Sequence, residues 1–167
     1  MEISRLSDTS VKIKTKTATL VVDPDVKVEA EVLLHITPFE NDSNLVSNKR
    51  IIIDGPGDYE VMDVAITGIS YGDFMGYSID DGTTKVIIAP SHAIESVKDE
   101  EGYAAVIIKA VAAVDLEKIS SFTPDVCIVF GDPMLLDHVD AAKKQAKLNV
   151  RRIDESLKGQ VVVLKKD

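Results

Sequence analysis

Short β-branched and apolar runs, each closed by a turn signal, recur from residue 11 to residue 88. Val11-Lys-Ile-Lys alternates apolar and polar residues, and Ala18-Thr-Leu-Val-Val22 is ended by Asp23-Pro24. Period-two alternation and a proline that cannot extend the run predict an antiparallel hairpin turning near Thr15 to Thr17. Further strands are predicted at 31–34, 50–53, 59–61, 64–69, 76–79 and 85–88. Asp80-Asp81-Gly82 supplies the last hairpin turn, because glycine tolerates the positive φ that tight turns need.

The second half reads differently. Ala104-Ala-Val-Ile-Ile-Lys109 and Val126-Cys-Ile-Val-Phe130 are apolar runs of the kind that form strands buried on both faces. Between them a helix is predicted at 115–122, with Asp115 as its cap and Pro124 beyond its end. A longer helix is predicted over 133–148, where Met134, Leu135, Val139, Ala142 and Ala146 form an apolar stripe and lysines gather near the C-terminal end. A closing strand is predicted at 161–164. Strands in a meander followed by strands alternating with helices imply sheets packed face to face with helices outside.

The 167 residues suit one domain spanning 1–167. No run of 18 or more apolar residues is present and Met1-Glu-Ile-Ser-Arg-Leu lacks a secretory pattern, so no membrane association and no targeting signal are expected. The one cysteine, Cys127, lies in an apolar run and reads as a small core residue, which favours a cytoplasmic location. A net charge of −9 opposes nucleic-acid binding. Lys12, Lys14 and Lys16 alternate along the chain, as on the wet face of an edge strand.

The stretch from Ile51 through Asp54-Gly-Pro-Gly-Asp-Tyr-Glu-Val61 to Gly68-Ile69 resembles the strand, turn and hairpin that follow the metal loop in small metallo-β-lactamase-fold hydrolases of bacteria and archaea. Asp23-Pro24, the strand ending at His35 and the closing segment 149–165 are similar to the same family. The resemblance implies an αββα sandwich of two mixed sheets flanked by helices, shortened in its C-terminal half. It also implies a two-zinc hydrolase ancestor, whose converging histidines and carboxylates turn a bound water into hydroxide near neutral pH.

At the implied ligand positions the chain departs from the family. Where catalytic members read His-x-His-x-Asp-His, this chain reads His35-Ile-Thr37-Pro38-Phe39-Glu40. Ser7-Asp8 replaces a Gly-His pair. The third histidine's nearest counterpart is Asp73, the bridging aspartate aligns with Ser91, and the last histidine falls at Gly131 or Asp132. One ligand of the usual set, His35, is retained, and a site missing most of its ligands should lose tight metal binding. His35, Thr37, Phe39, Glu40, Asp73, Ser91, Gly131 and Asp132 therefore mark a vestigial pocket with no catalytic residue, no metal and no cofactor expected.

Other chemistries read more plainly as structure. A lone histidine ending an apolar strand suits a hydrogen-bonded wall. Glu40, Asp42, Asp73 and Asp132 offer hard oxygen donors but not the spacing of a calcium loop. Gly55-Pro-Gly57 reads as a turn, since no Gly-Lys-Ser/Thr follows it. Ser91-His92 with Glu95 holds triad residue types, yet neighbours on one segment rarely reach in-line geometry. The expectation is a non-catalytic relative of the metal hydrolases acting by protein or ligand binding, as a homo-oligomer or with a related catalytic protein. The alternative is a zinc-dependent or other metal-dependent hydrolase with a divergent site, its single metal held by His35 with Glu40 and Asp132.

Overall fold

The computed structural model describes residues 1–38, 43–97, 101–114, 118, 125–136, 143–153 and 155–165. Strands β1 (Glu2–Arg5), β2 (Val11–Lys14) and β3 (Thr19–Val22) form an antiparallel meander. After β4 (Val28–Glu29), strand β5 (Val32–Leu34) runs parallel to β3. Beyond β6 (Val46–Ser47), strand β7 (Ile51–Ile53) runs parallel to β5, while β4 and β6 pair as a separate ribbon. A second antiparallel meander follows in β8 (Gly57–Val61), β9 (Val64–Tyr71), β10 (Phe74–Asp80) and β11 (Lys85–Pro90).

Helix α1 (Ile94–Val97) leads to β12 (Ala105–Ala110) and β13 (Val126–Gly131), which are parallel to β11 and to each other. Strands β14 (Lys143–Gln145), β15 (Lys147–Asn149) and β16 (Gln160–Leu164) close the chain. The strand orders are β15-β1-β2-β3-β5-β7 in one sheet and β14-β16-β13-β12-β11-β10-β9-β8 in the other. Both sheets are mixed, as expected.

The two sheets face each other across one apolar layer, to which Ile3, Ile13, Leu20 and Leu34 come from the first and Ile66, Tyr77, Ile107 and Phe130 from the second. Alternation along each strand builds this layer. On β12, Ala105 and Ile107 point into it, while Val106, Ile108 and Ala110 point the other way, toward Ala93, Ile94 and Val97 around α1. The outer face of the first sheet is covered, among the described residues, by the β4–β6 ribbon through Val46 and Val28. No helix among the described residues is long and apolar enough to cross a membrane.

Two expectations need correction. The helix expected over 133–148 is a 3-10 turn at Pro133–Leu136, then strands at 143–145 and 147–149, with 137–142 outside the described residues. The physical reason is tertiary: β14 pairs with β16 at one sheet's edge and β15 pairs with β1 at the other's, and such pairing overrides helix propensity. Lys12 and Lys14 lie on β2, an interior strand between β1 and β3, so they face solvent from the sheet's surface and do not guard an edge. Apart from Lys118, the helix expected at 115–122 lies outside the described residues.

Candidate functional site

The site sits where β3, β5 and β12 all end. Asp23 follows β3 with φ of 42°, the left-handed region that a non-glycine residue occupies at a cost, all the more when a proline comes next. The strained backbone turns its carboxylate onto the segment after β5. One oxygen of that carboxylate accepts the Ile36 N–H at 3.0 Å, and the other accepts both the N–H and the hydroxyl of Thr37 at 3.2 Å.

Tyr77 reaches the same segment from the facing sheet. Its buried hydroxyl donates between the His35 carbonyl at 2.6 Å and the Ile53 carbonyl at 2.9 Å. Burial, with the Asp23 charge beside it, pushes that phenol well above its ordinary range, so it is a fixed donor. The Met75 N–H donates to the Ile36 carbonyl at 2.9 Å and the His35 N–H to Ile53 at 3.1 Å. Behind them, the 54–61 turn packs onto β9 so closely that a Cβ at Gly68 would lie 2.4 Å from the Gly55 carbonyl oxygen. Glycine at 68 is what lets this frame close.

Into the same place comes a lysine. Lys109 shares strand parity with Ala105 and Ile107, so its side chain enters the layer between the sheets, where it is 5% exposed. Its ammonium donates to Asp23 Oδ2 at 2.5 Å, and His35 Nδ1 lies 3.6 Å from Asp23 Oδ1. Burial alone would raise the Asp23 pKa. Interactions with His35 and Lys109 and the Ile36 N–H more than offset burial and hold this carboxyl below its ordinary value.

The cleft above this cluster has a volume of about 770 Å3. His35, Thr37 and Asp132 all line it, together with Asp23 and Lys109. Asp8, Asp25 and Asp132 give it acidic character, while Pro24, Phe74 and Leu135 supply apolar wall. Lys109 is the sole lysine or arginine among the described lining residues.

The remaining predicted positions lie elsewhere. Asp73 lines a neighbouring groove with Tyr71 and His92. The buried Ser91 hydroxyl is committed to the backbone of the 111–112 turn, accepting both N–H groups at 3.2 Å and donating to the Ala112 carbonyl. The His92 ring packs edge-on to Phe74, with ring centroids 4.8 Å apart. Gly131 has no room for a side chain: a Cβ there would lie 2.5 Å from the Ala110 Cβ. Its carbonyl accepts from Arg5, which also donates to the Leu164 carbonyl and pairs with Asp8. Phe39 and Glu40 lie outside the described residues. Cys127 is a buried core residue whose thiol pKa is raised by desolvation.

The donor set of the described residues does not fit a zinc pair. Among the described residues no group of three or more His, Cys, Asp or Glu side chains is gathered as a metal ion requires, and a cation already sits on the Asp23 carboxylate. Sequence reasoning missed Arg5, the anchoring role of Asp23, and Lys109. The signal for Lys109 was present as a charge on inward parity near the end of an apolar strand.

No family model matches the chain, and none of the curated proteins compared with it matches. Solved structures do. A candidate Zn-dependent hydrolase of the metallo-β-lactamase superfamily from Thermotoga maritima superposes with a TM-score of 0.71 at 17% identity, over 98% of both chains. A candidate metal-dependent hydrolase from Parabacteroides distasonis gives 0.60 at 13% identity, over 99% of this chain and 93% of that one. The metallo-β-lactamase-fold protein YhfI from Bacillus subtilis gives 0.56 at 8% identity, over 99% and 96%. The chain has the metallo-β-lactamase fold, and at these identities the likeness concerns the fold alone.

Proposed function

We propose that this is a non-catalytic, cytoplasmic protein of the metallo-β-lactamase fold that works by binding, as a homo-oligomer or as the partner of a related protein. The observation behind this reading is Gly131, which with Asp132 is one of the two positions that the family resemblance offers for the last histidine. Even a methyl group there collides with Ala110, so a side chain at 131 would need the strand pair β12–β13 to shift. Ser91 points the same way, since its hydroxyl ties down a turn. The roomy cleft remains, with mixed acidic and apolar walls suited to a ligand or a partner's side chain.

A metal-dependent hydrolase is the second reading, because His35 and Asp132 do share the cleft. Elemental analysis of protein purified without chelator and then offered zinc, manganese and iron separates the two. The binding reading expects no stoichiometric metal. Metal that is retained by the native chain and lost in His35→Ala would overturn it and direct attention to hydrolysis.

A further inference from the structure

We propose that Lys109 is the site's own cation: its ammonium does for Asp23 and the 35–37 segment what a bound metal ion does for the carboxylates of a metal site. The proposal rests on the reading that this chain holds no metal there, and it identifies what took over the charge balance. Three observations converge on it. Lys109 extends from an interior strand of a parallel array, where Ile107 and Ile128 are fully buried neighbours, and an unpaired ammonium in such a layer is very costly.

Its partner is equally committed. The Asp23 carboxylate is 8% exposed and already accepts the Ile36 N–H, the Thr37 N–H and the Thr37 hydroxyl, so the ammonium completes its coordination. The left-handed backbone at Asp23 persists only because its surroundings hold it. Finally, the pair joins the two sheets, since Asp23 ends β3 and Lys109 lies on β12. A divalent ion approaching these oxygens would meet a like charge at contact distance, so the lysine both replaces and excludes it.

The test uses the full chain with Lys109→Ala, which removes three methylene groups and the ammonium, the size of propylammonium. Thermal unfolding is followed with propylammonium chloride, or with 1-propanol in sodium chloride at equal ionic strength. The variant is expected to lose roughly 10 °C in Tm, the order anticipated for breaking a buried pair in a chain of this size. Propylammonium should recover part of that loss, and 1-propanol should not. Equal recovery by both would overturn the proposal, because Lys109 would then be filling space only, and recovery by neither would overturn it too, because the vacated site would show no preference for a cation.

Should Lys109→Ala fail to fold, Lys109→Met is compared with Asp23→Asn/Lys109→Met. The double variant is expected to be the more stable of the two, since it removes the stranded carboxylate charge. Additive losses would overturn the role assigned to Lys109 while leaving the non-catalytic reading intact. That reading fails separately, on zinc uptake by the unaltered chain.

Discussion

The two sides of the cleft are held by different kinds of contact. On the wall built by β3, β5 and β7, the loop frame is held through backbone groups: Asp23 takes the Ile36 and Thr37 N–H groups, and Tyr77 and Met75 hold the His35 and Ile36 carbonyls. On the facing side, strands β11, β12 and β13 bring side chains of different fates: Lys109 enters the cleft, Ser91 is tied to the 111–112 turn, and Gly131 packs against Ala110. A frame made of main-chain hydrogen bonds constrains the path of the 35–37 segment more than the side chains it carries.

Asp23→Ala acts on both sides of the cleft at once and has the largest expected effect. It strands the Lys109 ammonium and frees the buried Ile36 N–H and the half-buried Thr37 N–H, so a loss of about 3–5 kcal/mol is expected in urea unfolding. Stability within 1 kcal/mol or so of the parent would show that the pair does not tie the walls together.

Gly131→His restores a residue type to the facing side. Overpacking against Ala110 should cost about 1–3 kcal/mol without bringing zinc, as measured by denaturation and metal content. Tyr77→Phe tests the framed wall alone. Losing the hydroxyl that serves His35 and Ile53 should cost about 1–2 kcal/mol and raise hydrogen exchange at Ile36 and Thr37.

Acid titration sharpens the same point. The folded-state pKa of Asp23 lies below the ordinary 3.8, so its stabilising contribution is complete above that value and is lost as pH falls through the lower, folded-state one. Stability should therefore decline below about pH 4, and Asp23→Asn should flatten that part of the profile. An unchanged slope would mean other carboxylates govern it. The smallest effect is expected at Arg151→Ala. Its ion pair with Asp81 at 2.7 Å is partly solvated and lies outside the cleft, so at most about 1 kcal/mol should be lost.

Much of the fold was legible because its strands follow simple periods. The alternation in Val11-Lys-Ile-Lys, the Asp80-Asp81-Gly82 turn and the buried runs ending at Lys109 and Phe130 all form the expected strands. The 143–149 region was misread because a lysine-rich segment with scattered alanines favours helix locally, whereas two open sheet edges, invisible in one dimension, recruit it. The exposed-buried-exposed pattern of Lys147-Leu148-Asn149 was the only hint. At the site, the resemblance led to His35, Thr37 and Asp132, which do share a cleft. It could not lead to Lys109, because a pair 86 positions apart in the chain becomes visible only when the sheets face each other.

Metal occupancy of the native chain decides whether Lys109 or a metal ion balances the Asp23 carboxylate. After equilibrium dialysis against micromolar zinc, elemental analysis should find well below one zinc per chain, with no change on Lys109-preserving substitution of His35 to alanine. One or two tightly held zinc ions, abolished by that substitution, would contradict the account and return this protein to the metal-dependent hydrolases.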